Sequence, residues 1–225
     1  MIHNITEHCM MQMLRDFENF EKKHPHVAET GEYQTLKKRT GIYITEARDI
    51  VLEQRKLARV DDLTSLRNRK AFSEDLFREA DRAIRHKHPL SLIFSDIDKL
   101  KRVNGTYGHG AGDTALKYIS SALRESVRMA DMVYRWGGDE FAVILPETDA
   151  GGAREIACRI RKATDHVYQY RSHKFGPVTV SQGIAMLQPN GEPYTSAAVE
   201  LVENADKASR GAKKAGGNRI RVYRA

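Results

Sequence analysis

The chain has 225 residues, with 37 Lys and Arg against 30 Asp and Glu, a formal net charge of +7 and 40% hydrophobic content. That apolar share can build a core and excludes a disordered chain. The best apolar run, Phe141 to Leu145, is far below the roughly 20 residues of a membrane span. Cys9 and Cys158 are the only cysteines, which excludes a disulfide framework and points to a reducing, cytoplasmic compartment. The charged N-terminus MIHNITEHCMMQMLRDF does not read as a secretory signal. A basic balance fits an anionic partner, but no aromatic platform or basic helix motif accompanies it, so nucleic-acid binding is not expected.

The composition shifts near residue 60, dividing a polar helical segment, 1–58, from a domain over 59–225. Ile5, Cys9, Met13, Phe17 and Phe20 fall three or four apart and predict an amphipathic helix. It should stop at His24-Pro25-His26. A second helix is expected over about 33–58. Leu36, Tyr43, Ile50 and Leu57 recur every seven residues, with Thr40, Ala47 and Gln54 between them. That is a weak seam for a parallel coiled coil; the alternative is a helix packed on its own domain. Gly41 within it costs about 1 kcal/mol relative to Ala. His3, His8 and Cys9, with His24 or His26, are zinc ligands by type. The step from His3 to His8 does not keep one helix face, so a zinc sensor is a minor reading.

Beyond residue 60, Asp61-Asp62-Leu63-Thr64 offers helix-start chemistry and Arg69 to His86 reads as a helix. Leu90 to Ile97 is a strand after Pro89, and 108–127 contains a helix with Ala115, Leu116, Ile119 and Leu123 on one face. Met132 to Trp136 and Phe141 to Leu145 are strands separated by Gly137-Gly138-Asp139-Glu140, hence a hairpin. A helix over 150–169, a strand from Val178 to Ala185, a helix from Ala197 to Lys214 and a strand from Arg219 to Tyr223 follow. One tight hairpin among alternating strands and helices means an α+β fold with a mixed sheet and helices on its faces.

Acids at strand ends carry the chemistry. In Ser95-Asp96-Ile97-Asp98 the acids continue an apolar strand, where Asp is a poor fit. Asp98 is either the cap of a following helix or, with Asp96, a magnesium ligand. Asp139 and Glu140 at the hairpin tip, beside two glycines that let a ligand approach, make a phosphoryl-transfer site plausible.

Arg135-Trp136-Gly137-Gly138-Asp139-Glu140-Phe141 resembles the signature of the GGDEF family, the diguanylate cyclases. The resemblance covers about 59–225. It extends to Asp61 through Arg69, Phe94 through Asp98, Asn104 through His109, Gly112-Asp113, Val178 through Ser181 and Ala205-Asp206-Lys207-Ala208, in order. Four positions depart from the family: Ser65 where Gly is usual, Gly105 where Asp is usual, Gln182 where an apolar residue is usual, and Gly217 where Arg is usual.

The resemblance implies a fold like the palm of nucleotidyl cyclases and polymerases, an antiparallel-rich mixed sheet flanked by helices. It implies condensation of two GTP to cyclic di-GMP and two pyrophosphates across a homodimer. The implied metal is Mg²⁺, with Mn²⁺ as the alternative, on Asp96, the Ile97 carbonyl and Asp139. Asp139 and Glu140 are the implied catalytic acids, with the base role undivided between them. Asn104 and Asp113 match guanine readers, Lys101 and Lys213 phosphate binders, and Gly138 a substrate contact. Arg128 and Asp131, at a fixed offset before Gly137, with Arg159, match a site where product inhibits. The rival reading is a catalytically silent cyclic di-GMP receptor using Arg128 and Asp131; the intact hairpin favours the enzyme.

Overall fold

The structure, a computed structural model, describes residues 12, 15–57, 59–165, 168–170, 173–175, 177–188 and 193–224. It divides into two compact units, Met1–Ala58 and Arg59–Ala225.

The first unit is helical. Helix α1 covers residues 15–23, α2 Pro25–Ala28 and α3 Gly31–Leu57. Proline does end α1, and the same residue starts α2, because a ring that fixes φ suits the first helical turn. Tyr33 is buried against Phe17 and Phe20, at ring-centroid distances of 6.3 and 5.4 Å. Lys37 bonds Glu21 at 2.6 Å beside them. Of the heptad positions, Leu36 and Tyr43 are 57% and 68% exposed. The side chains of Ala47, Ile50, Gln54 and Leu57 lie outside the described residues, as do Ile5, Met13, His3, His8 and Cys9. Among the described residues no three His, Cys, Asp or Glu side chains gather to hold a metal. No described helix is long and apolar enough to cross a membrane.

The second unit is built on a six-stranded sheet ordered β1-β3-β4-β2-β7-β8. The strands are β1 (Arg67–Asn68), β2 (Leu90–Ile97), β3 (Met132–Arg135), β4 (Glu140–Pro146), β7 (Val180–Met186) and β8 (Ile220–Val222). The inner pairs are antiparallel, while β1 with β3 and β7 with β8 are parallel. The period of two sorts each strand onto two cores. Ile93, Ile97, Phe141, Val143 and Leu145 face α5 (Leu100–Tyr107), α6 (His109–Glu125) and α7 (Ala150–Thr164). Leu92, Phe94, Ala142 and Ile144 face α4 (Arg69–His86) and α8 (Tyr194–Lys214). Both layers are lined by alanines, which let helices sit close to the sheet. One such close approach is at Gly183 in β7, where a Cβ would collide with the α8 backbone at Ala205 and Ser209. Lys213, at the end of α8, is thereby held over the sheet.

Three expectations needed correction. Asp61 to Thr64 starts no helix: Asp61 Oδ1 accepts from the Thr64 amide and hydroxyl at 2.9 and 2.6 Å, closing a turn. The turn runs into the short strand β1, which sequence pattern did not reveal. The helix expected over 150–169 ends at Thr164, and β5 (Tyr168–Tyr170) pairs with β6 (His173–Phe175). Asp98 caps nothing, because the N-cap of α5 is Lys99 in the left-handed region. Gln182, where an apolar residue is usual in the family, is fully buried in β7; its Nε2 is 3.5 Å from Ser95 Oγ and its Oε1 has no partner among the described residues.

Candidate active site

Strand β2 ends beside the β3–β4 hairpin, and the register decides which acids meet. Asp96 is paired directly with Glu140 across the antiparallel ladder, so their side chains share one face. The Ile97 amide donates to the Asp139 carbonyl at 3.0 Å, tying the hairpin tip to the strand end. Trp136 anchors the hairpin base: its ring meets Phe72 and Phe94 edge-on at 4.7 and 5.3 Å, with the Arg69 guanidinium 4.5 Å from its centroid.

Lys213 reaches this point from α8. Its ammonium donates to Asp96 Oδ1 and lies 3.4 Å from the Ile97 carbonyl. These are two of the three donors assigned to a metal from the sequence, and a cation already sits between them. Burial pushes the Asp96 carboxyl above its ordinary range; Lys213 pulls it down, and the nearby Asp139 and Asp98 carboxylates push it up. Glu140 is likewise raised by burial, then by Asp96, Asp139 and Asp206. The site thus holds more negative charge than one ammonium neutralises, which is the condition for a hard, oxygen-liganded cation. The residues fit magnesium with substrate phosphates as remaining ligands.

Asp98, the alternative metal ligand, is spent elsewhere. Its carboxylate accepts from Thr179 Oγ1 at 2.7 Å, Ser181 Oγ at 2.6 Å and the Asn218 amide at 2.7 Å. Gly217 packs on it with φ +76, and an added Cβ would lie 2.8 Å from Asp98 Oδ1. The departure from Arg at this position is therefore matched to a tight loop.

Asn104 on α5 and Gly112 on α6 meet closely: a Cβ on residue 112 would collide with Asn104 Oδ1. That oxygen is buried with no partner among the described residues. Asp113 follows on α6 and is exposed, as are Lys101 and Gly138. Among the described residues no contact draws Asp113 or Lys101 to the acids; Gly138 lies at the hairpin tip, its carbonyl accepting from Arg135 at 2.8 Å.

A second cleft, of about 350 Å³, contains Arg128 and Asp131 together with Arg67 and Arg124. Asp131 is buried and accepts from the Arg128 amide at 2.8 Å, leaving the Arg128 side chain exposed. Arg159 does not line this cleft: its guanidinium donates twice to the Ser126 carbonyl, at 3.1 and 3.0 Å. Arg67, although it lies in the opening motif, and Arg124 were not singled out from the sequence, because only the fold brings them beside Arg128.

Sequence reasoning also missed what holds the hairpin. Arg135 donates to Asp61 at 3.0 Å and to the carbonyls of Gly137 and Gly138 at 3.1 and 2.8 Å. The available signal was an Arg just before two glycines, facing an Asp that opens the domain.

Comparison with known proteins agrees with this geometry. Residues 58–219 match the model of the family described as diguanylate cyclase, GGDEF domain. The chain is 39% identical over 171 residues to the diguanylate cyclase DgcP of Pseudomonas aeruginosa, covering 76% of this chain but only 25% of that protein. The crystal structure of the GGDEF domain of DgcB from Caulobacter crescentus, in complex with c-di-GMP, superposes with a TM-score of 0.70 at 32% identity, covering 74% of this chain and 94% of that one. Diguanylate cyclase SiaD in complex with its activator SiaC, from Pseudomonas aeruginosa, gives a TM-score of 0.68 at 28% identity over 98% of this chain and 82% of that one. An acid pair in register across β2 and β4, a hairpin bearing the signature and a family match over residues 58–219 place this chain in the GGDEF diguanylate cyclase family.

Proposed function

We propose that the chain is an active diguanylate cyclase, joining two GTP into cyclic di-GMP across two facing copies of its second unit. The observation that carries the reading is the pairing of Asp96 with Glu140, with Lys213 set between Asp96 and the Ile97 carbonyl. Asn104 and Asp113 read guanine: its N1–H and N2–H₂ donors suit a carboxylate and an amide oxygen, and adenine lacks that donor pair. Lys101 and Lys213 bind phosphate, and the Gly138 backbone lies against the substrate. Asp139 or Glu140 takes the proton of one GTP's 3′-hydroxyl. That oxygen bonds to the α-phosphorus of the other GTP, the bond to the bridging oxygen breaks, and pyrophosphate leaves; the second half-reaction repeats the step with roles exchanged. Mg²⁺, or Mn²⁺, held by Asp96, the Ile97 carbonyl and Asp139, would neutralise the triphosphate and polarise the α-phosphate.

Dimerisation falls to the helical segment 1–58, whose Leu36 and Tyr43 are exposed at heptad spacing. Product inhibition falls to Arg128 and Asp131, with Arg159 released from Ser126 to join them. A GTP-consuming role of this kind belongs in the cytoplasm. The reading is tested by pyrophosphate release from GTP and Mg²⁺. It predicts turnover by the full chain, none by Asp139→Ala, and loss of cyclic di-GMP inhibition in Arg128→Ala.

A further inference from the structure

Helix α5 has two faces with different surroundings. At 100° per residue, Lys101 and Asn104 fall on one side, and Arg102, Val103, Thr106 and Tyr107 on the other. The second side lines a cleft of about 480 Å³, closed by Thr179 and its neighbours and by Asn218. A volume of this size lies within the range of small-molecule sites.

The cleft is charged in one sense. Lys99 and Arg102 are exposed on its wall, and neither has an ion pair among the described residues. The acid beside them, Asp98, is occupied by Thr179, Ser181 and the Asn218 amide. One residue of the cleft lining also carries an unmet polar atom. Asn218 sits at φ 48 with its amide fixed on Asp98, and its side-chain Oδ1 is buried without a partner among the described residues. A buried acceptor left unpaired costs free energy, which a ligand donor would recover.

We propose that this cleft is a second binding site, separate from the guanine and metal residues, for a phosphorylated small molecule of mononucleotide size. Lys99 and Arg102 take the phosphate, Asn218 Oδ1 accepts from a hydroxyl or amino group, and Val103 and Val178 cover the apolar body. The ligand reports to the acids through one short path. Asn218 is bonded to Asp98, Gly217 packs on Asp98, and Lys213 lies four residues before Gly217. Occupancy would therefore alter the hold of Lys213 on Asp96, and substrate binding would alter affinity for this ligand by the same factor.

The test is titration of the ¹⁵N-labelled full chain with 5′-AMP, up to about 10 mM. The expected result is saturable shifts at the Arg102, Thr106, Thr179 and Asn218 amides. Arg102→Glu, an exposed change that leaves the core untouched, should weaken binding about tenfold or more. Lys99→Gln should weaken it less, Asp113→Ala should leave it unchanged, and adenosine should give no shifts. Shifts confined to Asn104 and Asp113, equal affinity in Arg102→Glu, equal binding of adenosine, or no binding would each overturn the proposal.

Discussion

Arg135 is bonded at once to Asp61, where the second unit begins, and to both glycine carbonyls of the hairpin tip. One guanidinium thus fixes the place of Asp139 and Glu140 without touching either. Arg135→Ala should keep the fold, since its side chain is outside both cores, but let the tip move. A misplacement of about 1 Å can cost ~10² in rate, so kcat should fall by about that factor while far-ultraviolet circular dichroism is unchanged. Arg135→Lys, which cannot span three acceptors with one planar fork, should rescue little.

The same bond gives a pH dependence. Burial pushes the Asp61 carboxyl up, but hydrogen bonds from Thr64 and Arg135 outweigh it and hold the pKa below the ordinary value of 3.8. A carboxyl lower in the folded state binds fewer protons there than in the unfolded chain, so its contribution is present above about pH 4 and is lost as pH falls through the folded value. Asp61→Asn should lower stability by about 1 kcal/mol at pH 7, after allowance for solvent screening. Denaturant titrations at pH 7 and pH 3 check it: the difference between wild type and variant should shrink at the lower pH.

The acid site should trade stability for function. Asp96 and Glu140 are both raised by burial and by neighbouring carboxylates. Their charged forms therefore oppose folding when no cation is bound. Glu140→Gln should melt at or above the wild-type temperature in metal-free buffer at pH 7, while with Mg²⁺ supplied its cyclic di-GMP synthesis is lost. A lower melting temperature would show Glu140 to be a structural anchor.

Restoring the family's usual residue at position 217 should harm this chain. Gly217 lies at φ +76, and a Cβ would press on an Asp98 carboxylate pinned by three donors. Gly217→Arg should destabilise by about 1–2 kcal/mol from the left-handed backbone alone, read as a drop in melting temperature, and should not lower the KM for GTP.

Much of the site was legible because its residues are local in sequence. Phe94 to Asp98 and Trp136 to Phe141 each read as a strand end with misplaced acids, while the register that pairs Asp96 with Glu140 is set by the β2–β4 ladder. What could not be read depends on contacts distant in sequence. Asp98 looked like a cap or a ligand because Thr179, Ser181 and Asn218 lie more than 80 residues away. Strand β1 is two residues long and has no period of its own; it exists because β3 offers it a parallel edge. The helix after the hairpin ran too far in the sequence reading because Tyr168 to Tyr170 contains no breaker. Ser65, where the family usually has Gly, takes φ 56 in the turn before β1, a conformation that only the fold reveals.

The most direct measurement is mass analysis of the nucleotide product after the purified full chain is incubated with GTP and Mg²⁺. The account predicts cyclic di-GMP with two pyrophosphates released per product, and neither from Asp139→Ala. Unchanged GTP from a folded chain that still binds cyclic di-GMP at Arg128 would contradict it, and would make the protein a receptor.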